Sequence, residues 1–253
     1  MKRKIILLTA FYLLLIGIWQ GIAALRIWPP YLFPSPSGVF DSLVLGFQDN
    51  SFTIGILASM KRVLIGYFIS VAGGLLIGLA IGRIKVLDET VGTIVLGFQA
   101  LPSICWLPIA LLWFGLSESA IILVVVLGSL FAVTIGVDTG VKNVPPIYLR
   151  AARTMGAHGF DLYTKVIIPA AMPSIISGLK QGWSFAWRAL MAGELLYVSI
   201  GLGHLLTMGR ELNDISQIIA VMIIIIVIGI TVDRLVFTKL ENRVRERWGL
   251  LNA

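Results

Sequence analysis

Charge is scarce in this chain. Only 13% of its 253 residues are Asp, Glu, Lys or Arg, about half the share of an ordinary soluble domain. A soluble globular protein is excluded. Cysteine is scarcer still. Cys105 stands alone, which excludes an intramolecular disulfide, and its place in an apolar run predicts a small core residue. Histidine occurs only at His158 and His204. Neither an H-E-x-x-H helix nor a Cys/His cluster can be written from them, so no metal site is expected. A G-x-x-x-x-G-K-[ST] phosphate loop is also missing, so the chain is not expected to hydrolyse ATP or to bind a cofactor itself.

What fills the chain instead is apolar: 58% of the residues are hydrophobic. Six runs stand out, at residues 5–25, 63–81, 91–114, 120–137, 175–199 and 218–237. Each is close to the roughly 20 residues that cross a bilayer as a helix. Backbone groups find no water in lipid, so such runs are helical or close into a barrel. Uninterrupted runs exclude the alternating pattern of a barrel. The expected fold class is an all-α integral membrane protein of about six transmembrane helices, with residues 1–253 forming one membrane domain in contact with lipid.

The few charges set an orientation. Lys2, Arg3 and Lys4 open the chain, Arg83 and Lys85 follow the second span, and Lys142, Arg150, Arg153 and Lys165 follow the fourth. Arg234, Lys239, Arg243, Arg245 and Arg247 close it. The alternate links are poorer, holding Arg26, Lys61 and Arg62 in the first, none between Gly115 and Ser119, and Arg210 in the last. Lys/Arg excess marks the cytoplasmic side, so both termini and the long link after the fourth span are expected inside. The net charge of +7 follows from this bias and calls for no nucleic-acid partner. The first run is longer than a signal-peptide core and is expected to stay as an anchor.

Four segments carry more detail. In the second run Gly66, Ser70, Gly74, Gly78 and Gly82 recur every fourth residue, one helix face on which another backbone can approach closely. The third run contains Pro102 and Pro108, which predict a kinked helix, static or part of a moving channel. The outer link holds Pro29, Pro30, Pro34 and Pro36, then Ser37 as a cap for a short helix whose apolar face is Val39, Phe40, Leu43, Val44 and Phe47. That face is expected to lie at the outer membrane interface. The fifth run is the least apolar. Its Trp187, Arg188 and Glu194 fall at membrane depth, where a charge faces protein or a water-filled path. Arg188 and Glu194, six apart, do not share a helix face. Each is either a translocation-path residue or half of an ion pair with another helix or subunit.

The long inner link at residues 145–173 is the most distinctive. It reads Arg150-Ala151-Ala152, then Gly156, then Val166-Ile167-Ile168-Pro169. A loop that merely joins two spans is one reading. The spacing resembles the EAA loop of binding-protein-dependent ABC importer permeases, E-A-A, three residues, G, nine residues, I-x-L-P. Arg150 stands where that family usually has Glu, which bears on any salt bridge the acidic residue makes. FPSPSGV, WLPIALLWFG, the string Trp187-Arg188-x-Leu190-x-x-x-Glu194, Gly201-Leu202-Gly203 and the basic tail ending near Trp248 extend the likeness over most of the chain. They resemble the nitrate/sulfonate/taurine/bicarbonate branch.

The resemblance implies a MetI-like ABC permease fold with a cytoplasmic EAA coupling loop, in the prokaryotic plasma (inner) membrane. It implies a non-catalytic subunit that forms the path for a small anionic solute of sulfonate, taurine or nitrate type. Arg150, Ala151, Ala152, Gly156, Val166, Ile168 and Pro169 would couple it to an ABC ATPase subunit that carries the ATP and Mg. An extracytoplasmic solute-binding protein and a second permease copy would complete the assembly. The competing readings are a stand-alone secondary transporter or channel and an intramembrane enzyme. No internal repeat supports the first, and no Ser/His or metal pair at membrane depth supports the second.

Overall fold

The computed structural model describes residues 2–29, 31–196 and 199–247. Pro30 of the outer link and Trp248 of the tail lie outside them, as do two residues near the end of the fifth run. Every regular element among the described residues is helical. In chain order these are α1 (Lys2–Ala24), α2 (Pro36–Gln48), α3 (Ser51–Ile81), α4 (Lys85–Gln99), α5 (Ser103–Phe114), α6 (Glu118–Lys142), α7 (Pro146–Thr154), α8 (Gly159–Leu196), α9 (Leu202–Glu211) and α10 (Ile215–Glu246). Five of them are long and apolar enough to cross a bilayer: α1, α3, α6, α8 and α10. The pair α4 and α5 makes up to a sixth span.

That pair corrects the expectation of a kinked helix over residues 91–114. The chain bends by 103° between α4 and α5. A 12-residue helix such as α5 is about 18 Å long, too short to cross alone. Pro102 stands at the break, with extended backbone (ψ 132°), and a 3₁₀ turn Ser103–Trp106 follows it. Pro108 kinks nothing. It sits in the first turn of the α-helical part of α5, where its missing N–H has no helical partner to lose. Cys105 lies in the 3₁₀ turn and is exposed, contrary to the expected core position, because the turn points its neighbours Ile104 and Trp106 onto the core instead.

The chain divides into two compact units, residues 1–59 with 197–227, and residues 60–196 with 228–253. In the first unit the Trp19 indole donates to the Pro34 carbonyl at 2.9 Å. Ser35, not Ser37, caps α2: its hydroxyl accepts from the Gly38 amide at 3.2 Å. Pro36 at the first helical position allows that earlier start. Of the expected apolar face of α2, Val39 is buried, while Phe40, Val44 and Phe47 are exposed. Phe52 is buried and lies against Gly46, where a side chain at that glycine would collide with the ring at 2.6 Å. The Ser59 hydroxyl accepts the Leu202 amide at 2.8 Å, and the Gln217 amide donates to the Leu205 carbonyl at 3.0 Å.

The second unit is built around α6, which is buried along much of its length. The small-residue face of α3 packs on it as its spacing predicts. Gly66, Gly74, Gly78 and Gly82 abut Val125, Val133, Val137 and Val141, and the Ser70 hydroxyl donates to the Val126 carbonyl at 2.9 Å. On its other side α6 meets α8 more closely still. A Cβ on Gly136 would lie 2.3 Å from the Cα of Gly178. Contact this tight multiplies small dispersion gains, which drive helix association where lipid removes the hydrophobic advantage.

The long helices run further than their apolar runs. The fifth run was expected to begin beyond Pro169, but α8 starts at Gly159 and carries Pro169 and Pro173 within it. A π turn, Tyr163–Ile167, precedes Pro169. Such a widened turn is a common response to a lost helical hydrogen bond.

The ends of these helices group together. Lys142, at the end of α6, binds Asp88 at 2.5 Å and Asp138 at 2.9 Å, and the Arg83 guanidinium lies 4.2 Å from the centre of the Tyr163 ring. At the start of α6, Glu118 meets Lys61 and Arg62. The chain thus enters α4 beside one end of α6 and leaves α5 at the other. The bent pair crosses the unit as one broken span.

Candidate functional site

Helix α8 carries a polar stripe through an apolar unit. Ser174, Ser177, Gln181, Ser184 and Arg188 follow one another at spacings of three and four, which places them on one face. All five are exposed or half-buried. Open cavities follow the stripe. One of about 360 Å³ is lined by Ser174, Ser177, Gln181, Glu241 and Arg245, among others. The next, of about 810 Å³, shares Ser177, Gln181 and Glu241 and adds Lys180, Ser184, Trp187, Arg188 and Arg234. A third, of about 420 Å³, lies at the α4–α5 break between Phe98 and Ile104, and Arg188 lines it too.

Arg188 therefore stands where the second and third cavities meet. Its guanidinium donates to the Ser184 hydroxyl at 3.1 Å and lies 5.1 Å from the centre of the Phe185 ring. Neither partner is charged. Lys180, by contrast, is paired with Asp233 at 3.0 Å, and Glu241 with Arg245 at 2.7 Å. Arg234, counted in the sequence as part of a basic tail, lies within α10 and lines the largest of these cavities. Trp187 is buried and stacked on Trp183, with ring centres 6.3 Å apart and planes 14° apart. Both indoles also line that cavity. The arrangement suits a small solute that carries negative charge: two guanidiniums, hydroxyls and a side-chain amide on one track, with aromatic walls.

Glu194 goes elsewhere. Six residues beyond Arg188, it points about 240° round the helix. It is buried, and its carboxylate accepts from Arg62 at 2.8 Å. This is the interhelical ion pair left open above. Arg62 is buried as well and bridges to Glu118 at 2.9 Å, while Lys61 binds the same carboxylate at 3.2 Å. The sequence reading assigned Lys61 and Arg62 to an outer link. The structure corrects this: both lie within α3, which begins at Ser51. Three helices, α3, α6 and α8, are tied here by a network in which each buried charge has an opposite partner.

The loop residues divide in a comparable way. Pro146 opens α7 at its first turn, and α7 ends at Thr154. Leu149, Ala152 and Ala157 pack with Val144 and Leu162. Arg150 and Ala151 are exposed. Gly156 has φ +88°, with no heavy atom within 4 Å of where a side chain would sit. The Ala157 amide donates to the Ala152 carbonyl at 2.9 Å and the Gly156 amide to the Arg153 carbonyl at 3.0 Å. Those two bonds close a Schellman turn, whose left-handed position favours glycine. Val166, Ile168 and Pro169 are half-buried in the opening turns of α8, with Val166 on the same cluster as Ala152. The seven motif residues are thus not one surface: Arg150, Ala151 and Gly156 face out, Ala152 and Val166 join one cluster beneath the loop, and Ile168 and Pro169 are half-buried within α8.

Sequence reasoning missed Arg62, Arg234 and the four polar residues before Arg188. The three-four spacing of Ser174, Ser177, Gln181 and Ser184 was a signal available for the last group. Arg62 gave a weaker one, a charge inside an otherwise apolar helical pattern.

Comparison with known proteins places this geometry. Residues 70–246 match the family described as "Binding-protein-dependent transport system inner membrane component". The nitrate import permease protein NrtB of Leptolyngbya laminosa is 30% identical over 243 residues, covering 93% of this chain and 86% of that protein. The taurine transport system permease protein TauC of Escherichia coli (strain K12) is 27% identical over 238 residues, covering 92% and 86%. Among solved structures, an inward-facing MetNI methionine ABC transporter chain superposes with a TM-score of 0.65 at 19% identity, over 76% of this chain and 95% of that one. The chain belongs to the family of inner-membrane components of binding-protein-dependent transport systems and is a transmembrane permease subunit of an ATP-driven ABC importer.

Proposed function

We propose that the polar face of α8 forms one wall of the translocation path, and that the solute is a small anion of the nitrate, taurine or sulfonate type. The observation that carries this reading is Arg188: a guanidinium at membrane depth, exposed to two cavities and held by a hydroxyl and the face of an aromatic ring, neither of them charged. A charge so placed is retained where something of opposite sign passes or binds. Arg234, on the wall of the larger cavity, extends the same attraction. The named activities of NrtB and TauC, which transport nitrate and taurine, fall in this class.

In this reading two copies of the chain enclose the path, and both termini face the cytoplasm. The exposed part of the loop at residues 145–173, Arg150, Ala151 and Gly156 foremost, docks an ATPase subunit. That subunit binds the ATP and Mg and performs the hydrolysis. An external binding protein delivers the solute. Glu194 serves the path indirectly, by fixing α8 to α3 through Arg62.

The test is Arg188→Leu in the assembled importer reconstituted with its ATPase and binding protein. Uptake of the anion should fall at least tenfold, while assembly and basal ATP hydrolysis stay at wild-type levels. Wild-type uptake in Arg188→Leu would remove the basis for an anionic solute.

A further inference from the structure

The loop helix α7 presents an unusual outer face for a segment with no apolar run of its own. Leu149 and Ala152 turn inward. Ile147 on α7 is 66% exposed, Met155 just past its end 87%, and Phe160 in the opening turn of α8 80%. Arg150 and Arg153 lie among them, and from Asn143 to Phe160 the sequence has no carboxylate. The next one, Asp161, is bound by Lys165 at 2.9 Å. Among the described residues neither Arg150 nor Arg153 forms an ion pair. Ala151, exposed and small, stands one turn on from Ile147 on the same side of the helix.

We infer that the ATPase surface receiving this loop is an apolar groove rimmed by carboxylates, one of them opposite Arg150. The inference rests on the docking role proposed above and adds the sign of the partner's charge. Apolar side chains this exposed gain by entering an apolar socket. A guanidinium carried in with them loses water, and only an opposite charge in the partner offsets that loss. A headgroup surface also attracts basic and apolar side chains. It gains nothing, however, from a small residue on this face, whereas a folded groove can approach the backbone closely there.

The experiment uses the whole complex, purified with its ATPase. A photo-reactive benzoylphenylalanine at Ile147, already large, apolar and exposed, identifies what lies over the face. Retention of the ATPase is then measured for Arg150→Glu with Arg153→Glu, and for Arg150→Lys, at low and high salt. Cross-links to an ATPase segment containing Asp or Glu are expected. The double reversal should lower retention about tenfold or more, and Arg150→Lys should keep most of it. Changing the cross-linked carboxylate to Lys should restore binding to Arg150→Glu. If cross-links reach the ATPase but the double reversal retains it fully, or the segment found is basic, the charge inference is overturned and docking stands. If cross-links reach only lipid, docking itself falls, and this inference with it.

Discussion

Two arginines show how differently one side chain is used at membrane depth. Arg62 is buried between Glu118 and Glu194, and Arg188 faces cavities. The first is structural, and the cost of disturbing it follows from burial. Removing one partner of a buried pair leaves a charge without compensation, at about 3–5 kcal/mol. Arg62→Met, which takes the guanidinium from the buried Glu194 carboxylate, should therefore lower the melting temperature of the purified permease sharply. The joint change Arg62→Met with Glu194→Leu should cost less than Arg62→Met alone, because the buried carboxylate goes with its partner. Thermal unfolding of the three proteins in one detergent decides this. Equal losses for single and double variants would show that the pair does not act as a unit. Gly156 is a residue-scale case of another kind. Its φ of +88° is strained for any side chain, so the turn that ends α7 depends on one residue type.

At the scale of elements, close backbone contact governs the second unit. A Cβ on Gly136 would collide with the Cα of Gly178 at 2.3 Å, whereas one on Gly97 would meet nothing within 4 Å. Gly136→Leu should force α6 and α8 apart and reduce the yield of folded, monodisperse permease severalfold. Gly97→Leu should leave it unchanged, as read by size-exclusion chromatography of a fluorescent fusion. This packing was partly legible in the sequence. The every-fourth-residue face of α3 needed only helical periodicity to be seen. Breaks were harder to place. Pro102 and Pro108 read as two kinks, yet one marks a 103° bend and the other opens a helix, because proline's effect depends on whether its nitrogen falls in the first turn or the interior. The inner link was read as running to residue 173, yet Pro169 and Pro173 lie within α8. Tertiary packing of α8 on α6 carries the helix through them.

For the whole molecule, the membrane class, the number of apolar segments and the family were legible, since they rest on run length and motif order. Site chemistry was legible only in part. Arg188 announced itself as a charge in an apolar run. Its separation from Glu194 depended on which neighbour each side chain reaches, and no single sequence states that. Orientation is testable at this scale. With Cys105 replaced by alanine, single cysteines at Ser117 and Asn213 should react with an impermeant thiol reagent from outside, and one at Asn143 only from inside. The reverse pattern would place the loop at residues 145–173 on the wrong side for the proposed docking of an ATPase.

The most direct test of the translocation path uses the same background. Cysteines placed at Ser177 and Ser184 on the stripe, and at Ile176 and Ala186 off it, are compared for modification by a small hydrophilic thiol reagent in the assembled importer. Both stripe positions should react rapidly, and both buried positions should not. Equal reactivity at all four, or protection confined to Ser177 and Ser184, would contradict a water-accessible path along this face of α8.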